Sequence, residues 1–239
     1  MSSGATPCRI GIDLRGLLRD EARYGLQALR RHGPRMGLLF ALILLPLWGF
    51  GELAEDVREG EVFFFDRPLL EWARTWSSPV RDAFFVLVSK LGYEWGVVPL
   101  DVLLVLVLAF GRRMREGLFA GVALAGSGLL NMAAKNYFGR ARPSLWESVA
   151  PETTLSFPSG HAMGSMTLAA VLLMLAWRTR WRWPMLAAVT VFVPLVGASR
   201  VYLGVHYPSD ILAGWSAALA WTAGVYAVIF RGGARPWRG

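Results

Sequence analysis

Six long apolar runs, separated by short polar or basic segments, constrain this chain more than any other feature. They fall at residues 37–53, 93–111, 117–135, 160–177, 184–203 and 209–230. A helix rises about 1.5 Å per residue, so roughly 20 apolar residues span the ~30 Å hydrocarbon layer of a bilayer. Inside that layer each backbone polar group needs a partner within the segment, which favours helices for isolated runs of this length. The expected fold class is therefore all-α, a polytopic membrane protein forming a six-transmembrane-helix bundle. Only 18% of the residues are charged against 54% hydrophobic, and the charges gather between the runs.

The boundaries follow from local signals. The stretch 81–111 is too long for one straight span. Gly92 divides it into an interfacial helix, 81–91, and a second span, 93–111. Pro46 predicts a kink or local break in the first span. The third span is rich in Gly and Ala (Gly121, Ala123, Ala125, Gly126, Gly128), which suits close helix packing. Residues 52–82 mix acids with Phe63, Phe64, Phe65, Trp72 and Trp76, a composition suited to the membrane–water boundary. Three parts are expected: a basic N-terminal segment, 1–36, a membrane domain, 37–230, and a basic tail, 231–239. Leu14, Leu17, Leu18, Ala22 and Leu29 share one helical face among four arginines. That pattern fits an amphipathic helix on anionic lipid and a loose basic tail equally well.

The net charge of +8 could be taken for a nucleic-acid binder. Its distribution argues otherwise. Six spans put both termini on one side, and that side carries sixteen of the 25 Lys and Arg residues. The positive-inside rule makes it the cytoplasm. The basic excess is thus a topological signal, with membrane lipids as the neighbours and no nucleic-acid partner expected. The expected location is the cell (inner) membrane, multi-pass. The loop 136–159 and residues 204–208 then meet on the extracytoplasmic face. Cys8 is the single cysteine, which excludes an intramolecular disulfide and a cysteine-based metal site.

Three clusters on that face carry chemistry. Lys135, Arg142 and Arg200 form a cationic set; a phosphate dianion needs several fixed donors, and Arg offers a planar fork for two oxygens. Arg140 falls outside this set and reads as a loop or headgroup contact. Pro158-Ser159-Gly160-His161 precedes an apolar run: Ser159 can cap the helix, and Gly160 lets the backbone approach an anion at the helix N-terminus. His206 and Asp210 are four residues apart, so the carboxylate can reach one imidazole nitrogen and fix its tautomer. Pro208 between them suits a first helical turn. His32, in the basic segment, reads as a packing or hydrogen-bonding residue.

Lys135-x6-Arg142-Pro143, Pro158-Ser159-Gly160-His161 and Ser199-Arg200-x5-His206-x3-Asp210 together resemble the three-part signature of the type-2 phosphatidic acid phosphatase family. Every signature position is present, in order, between residues 135 and 210. The resemblance implies that His206 is the nucleophile, forming a phosphohistidine. It implies that Asp210 orients His206 and that His161 is the general acid. It also implies that Lys135, Arg142, Ser159, Gly160 and Arg200 bind the substrate phosphate. Such a mechanism needs His206 neutral and His161 protonated, and so predicts a bell-shaped pH profile.

The leading expectation is hydrolysis of a lipid phosphate or pyrophosphate, of the undecaprenyl pyrophosphate, phosphatidylglycerol phosphate or phosphatidic acid type. Trp146, Glu147 and Glu152 in the 136–159 loop are candidates for gating headgroup size. One alternative is a lipid phosphotransferase using the same phosphohistidine; another is a non-catalytic membrane scaffold. The sequence sets no oligomeric state. Two histidines and an aspartate could ligate a metal, but one Lys and two Arg beside them already supply positive charge and would repel it. No metal and no cofactor are expected. Phosphate release should therefore persist in excess chelator; loss of activity restored by one divalent ion would contradict this.

Overall fold

The computed structural model describes residues 14–231 together with 236 and 237. Among them are eight α-helices and no strand. By contacts the chain divides into a unit over Met1–Phe40 and a unit over Ala41–Gly239, and the second holds all the signature residues. Cys8, residues 1–13 of the basic segment and most of the basic tail lie outside the described residues. So do the side chains of the Leu14–Leu29 stripe and of His32.

Helix α1 is Leu14–Glu59. It runs without a break through Pro46, where the sequence predicts a kink or break. Membrane helices tolerate an internal Pro when neighbouring groups and small local adjustments satisfy the freed carbonyl. It also continues past residue 53, carrying Glu52, Glu55, Asp56 and Glu59 as part of the helix. Helix α2, Asp66–Thr75, has no counterpart among the expected elements. It forms because Asp66, Leu70 and Ala73 recur at helical spacing and are buried, while Leu69 and Trp72 face outward. Asp66 in its first turn complements the helix dipole.

Helix α3, Pro79–Leu91, is the short helix expected at 81–91. Ser78 caps it by accepting from the Arg81 N–H, and Pro79 occupies the first turn. Residues 92–96 make a turn before α4, Val97–Phe110. Helices α5, Met114–Phe138, α6, Gly160–Ala176, α7, Arg182–Tyr202, and α8, Pro208–Ile229, match the remaining runs. Three of them, α5, α7 and α8, are long and apolar enough to cross a membrane, and α4 and α6 are shorter apolar helices. Large apolar side chains such as Leu103, Leu106 and Val107 on α4 remain exposed. That is the pattern of a lipid-facing surface.

The core gathers around α6, which packs against α4, α5, α7 and α8. Ten of its seventeen residues are buried, which explains why it is apolar on every side and shows no polar stripe. Ser127 and Thr167 hydroxyls meet at 2.8 Å across α5 and α6. At the end remote from the signature residues, Phe119 meets Tyr226 and Phe230 edge to face, and those two rings lie tilted against each other.

The contact that most directly serves the site is at Gly214. A Cβ there would lie 2.9 Å from the Ser159 carbonyl oxygen and 3.2 Å from the Met163 nitrogen. Only a residue without a side chain lets α8 press its first turns against the start of α6. Gly214→Ala is expected to cost about 1–3 kcal/mol by overpacking and to lower Tm in detergent. Gly224→Ala, where a Cβ meets nothing within 4 Å, is the control and should not lower Tm. Equal Tm values for the two variants would contradict the close approach.

Candidate active site

The signature residues come from four helix ends and two connections, and the fold gathers them at one end of the bundle. Lys135 stands in the last turn of α5, and His161 is the second residue of α6. Arg200 is in the last turn of α7, and Asp210 is in the first turn of α8. The turn from α7 to α8 folds back because Val205 and His206 both donate their N–H to the Arg200 carbonyl, at 3.1 and 3.4 Å. Gly204 makes this possible with φ +70°, and a Cβ there would lie 2.5 Å from the Trp146 ring. Asp210 then steadies the start of α8 by accepting from the Tyr207 N–H at 2.9 Å. The Ser159 N–H donates to the Asp210 carbonyl at 3.1 Å, which ties the start of α6 to α8. Ser159 also caps α6 as expected, accepting from Ala162 N–H.

His206 and Asp210 face each other, with Nδ1 and Oδ2 3.3 Å apart. Ser156 donates to the same carboxylate oxygen at 2.5 Å and lies 3.3 Å from Nδ1. On the opposite edge of the ring, Nε2 lies 3.1 Å from Nη1 of Arg142. A guanidinium can only donate, so Nε2 is the acceptor and the ring proton belongs on Nδ1, toward Asp210. The imidazole is 1% exposed. That burial drives its pKa down to about 4, against the pull of Asp210 and with Arg200 and Arg142 adding to the push. His206 is therefore neutral at pH 7, with an unprotonated nitrogen aimed at the cations.

The cations are held in turn. Arg200, 1% exposed, donates to the Ser89 hydroxyl and to Glu152, and its Nε is buried with no partner. Arg142 donates to the carbonyls of Thr154 and Val205, at 2.5 and 2.7 Å, and reaches Glu152 at 3.5 Å. Lys135 donates to the Leu155 carbonyl. Burial alone would raise the Glu152 carboxyl, but Arg200 and Arg142 outweigh it and hold it below the usual carboxylate range. His161 reaches Ser89, with Nε2 3.4 Å from the hydroxyl, and its ring packs on Tyr93 at 4.9 Å. A cavity of about 300 Å³ adjoins this group and is lined by Ser89, Lys90, Glu94, Glu152, His161 and Arg200. Gly160 lies on the other side, where a Cβ would come within 3.1 Å of Asn131. Among the described residues no group of three or more His, Cys, Asp or Glu side chains is placed to hold a metal ion.

Several participants escape the sequence reading. Arg140 is not a loop or headgroup contact: it is a partly buried ion-pair residue, 2.6 Å from Asp210 and 2.9 Å from Asp66. Ser156 and Ser89 carry no local signal, since their roles depend on partners 54 and 72 residues away. Glu152 stands between Arg142 and Arg200. Trp146 packs on the Gly204 turn, and Glu147 is exposed.

Comparison with known proteins covers this same region. The PAP2 superfamily profile matches residues 116–233. Phosphatidylglycerophosphatase B of Bacillus subtilis (strain 168) is 31% identical over 172 residues, which is 70% of this chain and 84% of the relative. An undecaprenyl-diphosphatase of Sulfolobus acidocaldarius is 32% identical over 139 residues, 56% of this chain and 64% of the relative. The crystal structure of the transmembrane PAP2-type phosphatidylglycerolphosphate phosphatase from Bacillus subtilis superposes with a TM-score of 0.68. It is 25% identical and covers 77% of this chain and 94% of that one.

The buried neutral imidazole has a measurable signature. An unfolded His binds a proton near pH 6.5, whereas folded His206 does so only near 4. Between those values the unfolded state holds more protons, so stability falls as pH is lowered through the window. NMR titration of His206, assigned by comparison with His206→Asn, should show a neutral ring down to about pH 5. A midpoint near 6.5 would contradict the geometry.

Proposed function

This chain belongs to the PAP2 superfamily, and from that premise we propose that its buried histidine hydrolyses lipid phosphates through a phosphohistidine. At the broader level the chain is a membrane lipid phosphatase. The nucleophile, the intermediate and the substrate class are our reading. The observation that carries it is the orientation of His206: Nδ1 faces Asp210 at 3.3 Å, and Nε2 faces the Arg142 guanidinium at 3.1 Å.

A substrate phosphate bound by Arg142 and Arg200 would present phosphorus to Nε2. The lone pair on Nε2 attacks, and the Nδ1 proton stays with the ring, steadied by Asp210. The P–O bond to the leaving group breaks, and His161 gives that oxygen its proton. Lys135, Arg142, Arg200, Ser159 and Gly160 balance the charge on the phosphoryl oxygens. The unpartnered Nε of Arg200 supports this assignment, because it is a buried donor aimed at no protein acceptor. Water then cleaves the N–P bond and releases inorganic phosphate. Three fixed cations supply the positive charge, so the reaction needs no metal.

The substrate class follows from the relatives and the setting. Those relatives are named for phosphatidylglycerophosphate and undecaprenyl diphosphate. We assign this chain a lipid phosphate monoester or pyrophosphate of that kind, with phosphatidic acid as a third candidate. We also propose that residues 37–53 and α4 to α8 make six spans, with the segment 1–36 and the tail 231–239 in the cytoplasm. The site then faces the extracytoplasmic side of the inner membrane, where a headgroup reaches it while its tails stay in lipid. The uneven distribution of Lys and Arg supports that orientation.

The test is phosphate release by purified protein across a panel of lipid monophosphates and pyrophosphates. His206→Ala should lower turnover by about 10⁴-fold or more, the scale of losing a nucleophile. Full turnover by His206→Ala, or no release from any lipid phosphate by the unmodified protein, would overturn the proposal.

A further inference from the structure

The polar network does not stop at Asp210. Its Oδ2 serves His206, Ser156 and the Tyr207 N–H. Its Oδ1 accepts from Nη1 of Arg140 at 2.6 Å. The same guanidinium reaches back to Asp66, with Nη2 2.9 Å from Oδ2. Ser209 closes the group: its N–H donates to Asp66 Oδ1 at 2.9 Å, its hydroxyl donates to Asp66 Oδ2 at 2.6 Å, and that hydroxyl accepts from Arg140 at 2.8 Å. Asp66, Ser209 and Asp210 are each at most 1% exposed. The Arg140 guanidinium also lies over the Tyr207 ring at 4.2 Å.

This arrangement differs from that of the other cations near the site. Arg142 and Arg200 share Glu152, which a phosphate can replace. Arg140 is bracketed by two buried carboxylates, and it meets Asp210 at Oδ1, the oxygen that His206 does not use. Both of its terminal nitrogens are engaged by Asp66, Ser209 and Asp210. Its planar fork spans two carboxylates as a Lys point charge cannot. Simple stability is a poor explanation, because a buried ion pair often adds little over an apolar replacement. What the pair does fix is the one Asp210 oxygen that His206 leaves unused.

We propose that Asp66 and Arg140 are positioning residues for the nucleophile. Asp66, carried on α2, anchors Arg140 and the first turn of α8. Arg140 then fixes the aim and counter-charge of Asp210, and Asp210 sets the proton on Nδ1 of His206. The proposal rests on the reading of His206 as nucleophile. It makes α2, a helix with no part in phosphate binding, necessary for the chemical step.

A double-mutant cycle tests it. The kcat and KM for phosphate release are measured for Asp66→Asn, Ser209→Ala and Asp210→Asn alone, and for the first two combined with Asp210→Asn. Asp66→Asn should lower kcat by about 10- to 100-fold, with KM within about 3-fold of the unmodified protein. Ser209→Ala should lower kcat by about 3- to 10-fold. In the Asp210→Asn background neither change should lower kcat further, because the residue they act through has already been altered. Equal losses in both backgrounds would show a merely structural role and overturn the proposal, as would a kcat equal to that of the unmodified protein. Gel filtration in detergent checks folding. If Asp66→Asn does not fold, Ser209→Ala carries the cycle alone, since it leaves the N–H of residue 209 on Asp66. His206→Ala separates the two readings. If it keeps turnover, the nucleophile assignment fails whatever Asp66 does. If it is inactive while Asp66→Asn has the kcat of the unmodified protein, only the positioning role fails.

Discussion

Asp210 carries a carboxylate with none of its surface exposed, at the start of an apolar helix. A buried carboxylate stays charged only if its lone pairs are filled, and about four sites are available. Four donors surround it here: the His206 ring, the Ser156 hydroxyl and the Tyr207 N–H at Oδ2, and the Arg140 guanidinium at Oδ1. These come from the turn before α8 and from both ends of the connection between α5 and α6. Satisfying one charge thus pins the loop 139–159 over the bundle. Leaving such a charge without its partner costs about 3–5 kcal/mol, so the loop and the site hold or fail together.

The basic residues around this centre serve two purposes, divided by what they face. Arg140 faces carboxylates on both sides and belongs to the scaffold. Arg142 and Arg200 face Glu152 and the His206 ring. Two guanidiniums and a lysine crowded into a partly buried site repel one another, and Glu152 offsets part of that charge. In the proposed reaction an incoming phosphate takes over the same donors. Binding is then an exchange of one anion for another, with little need to rebuild the pocket. The neutral His206 fits the same logic. Burial and adjacent guanidiniums disfavour its protonation, and the resulting unprotonated nitrogen is what a nucleophile needs.

Much of this was legible in the sequence. The apolar runs and their arginine-rich turns give α4 to α8, because lipid requires length and hydrophobicity in contiguous residues. The spacing of His206 and Asp210, the Ser159 cap and Pro208 at the first turn of α8 are local features, and the structure has them as expected. The rest depends on tertiary contact. Helix α2 is ten residues long, and its buried stripe is hidden among aromatic residues that suit any interface segment. Asp66 meets Ser209 across 143 residues of sequence. Arg140 and Arg142 are two residues apart, and only the fold turns one toward Asp66 and the other toward His206. At Pro46 the helix continues, so a local breaker does not end a helix of this length.

The central claim is that His206 carries the phosphoryl group during turnover. Rapid chemical quench with a lipid phosphate labelled in its phosphoryl group, followed by peptide mapping under alkaline conditions, measures this directly. The account predicts an acid-labile label on the peptide containing His206, formed no slower than phosphate is released and absent from His206→Gln. Turnover with no label on that peptide, or label on another residue, would contradict it.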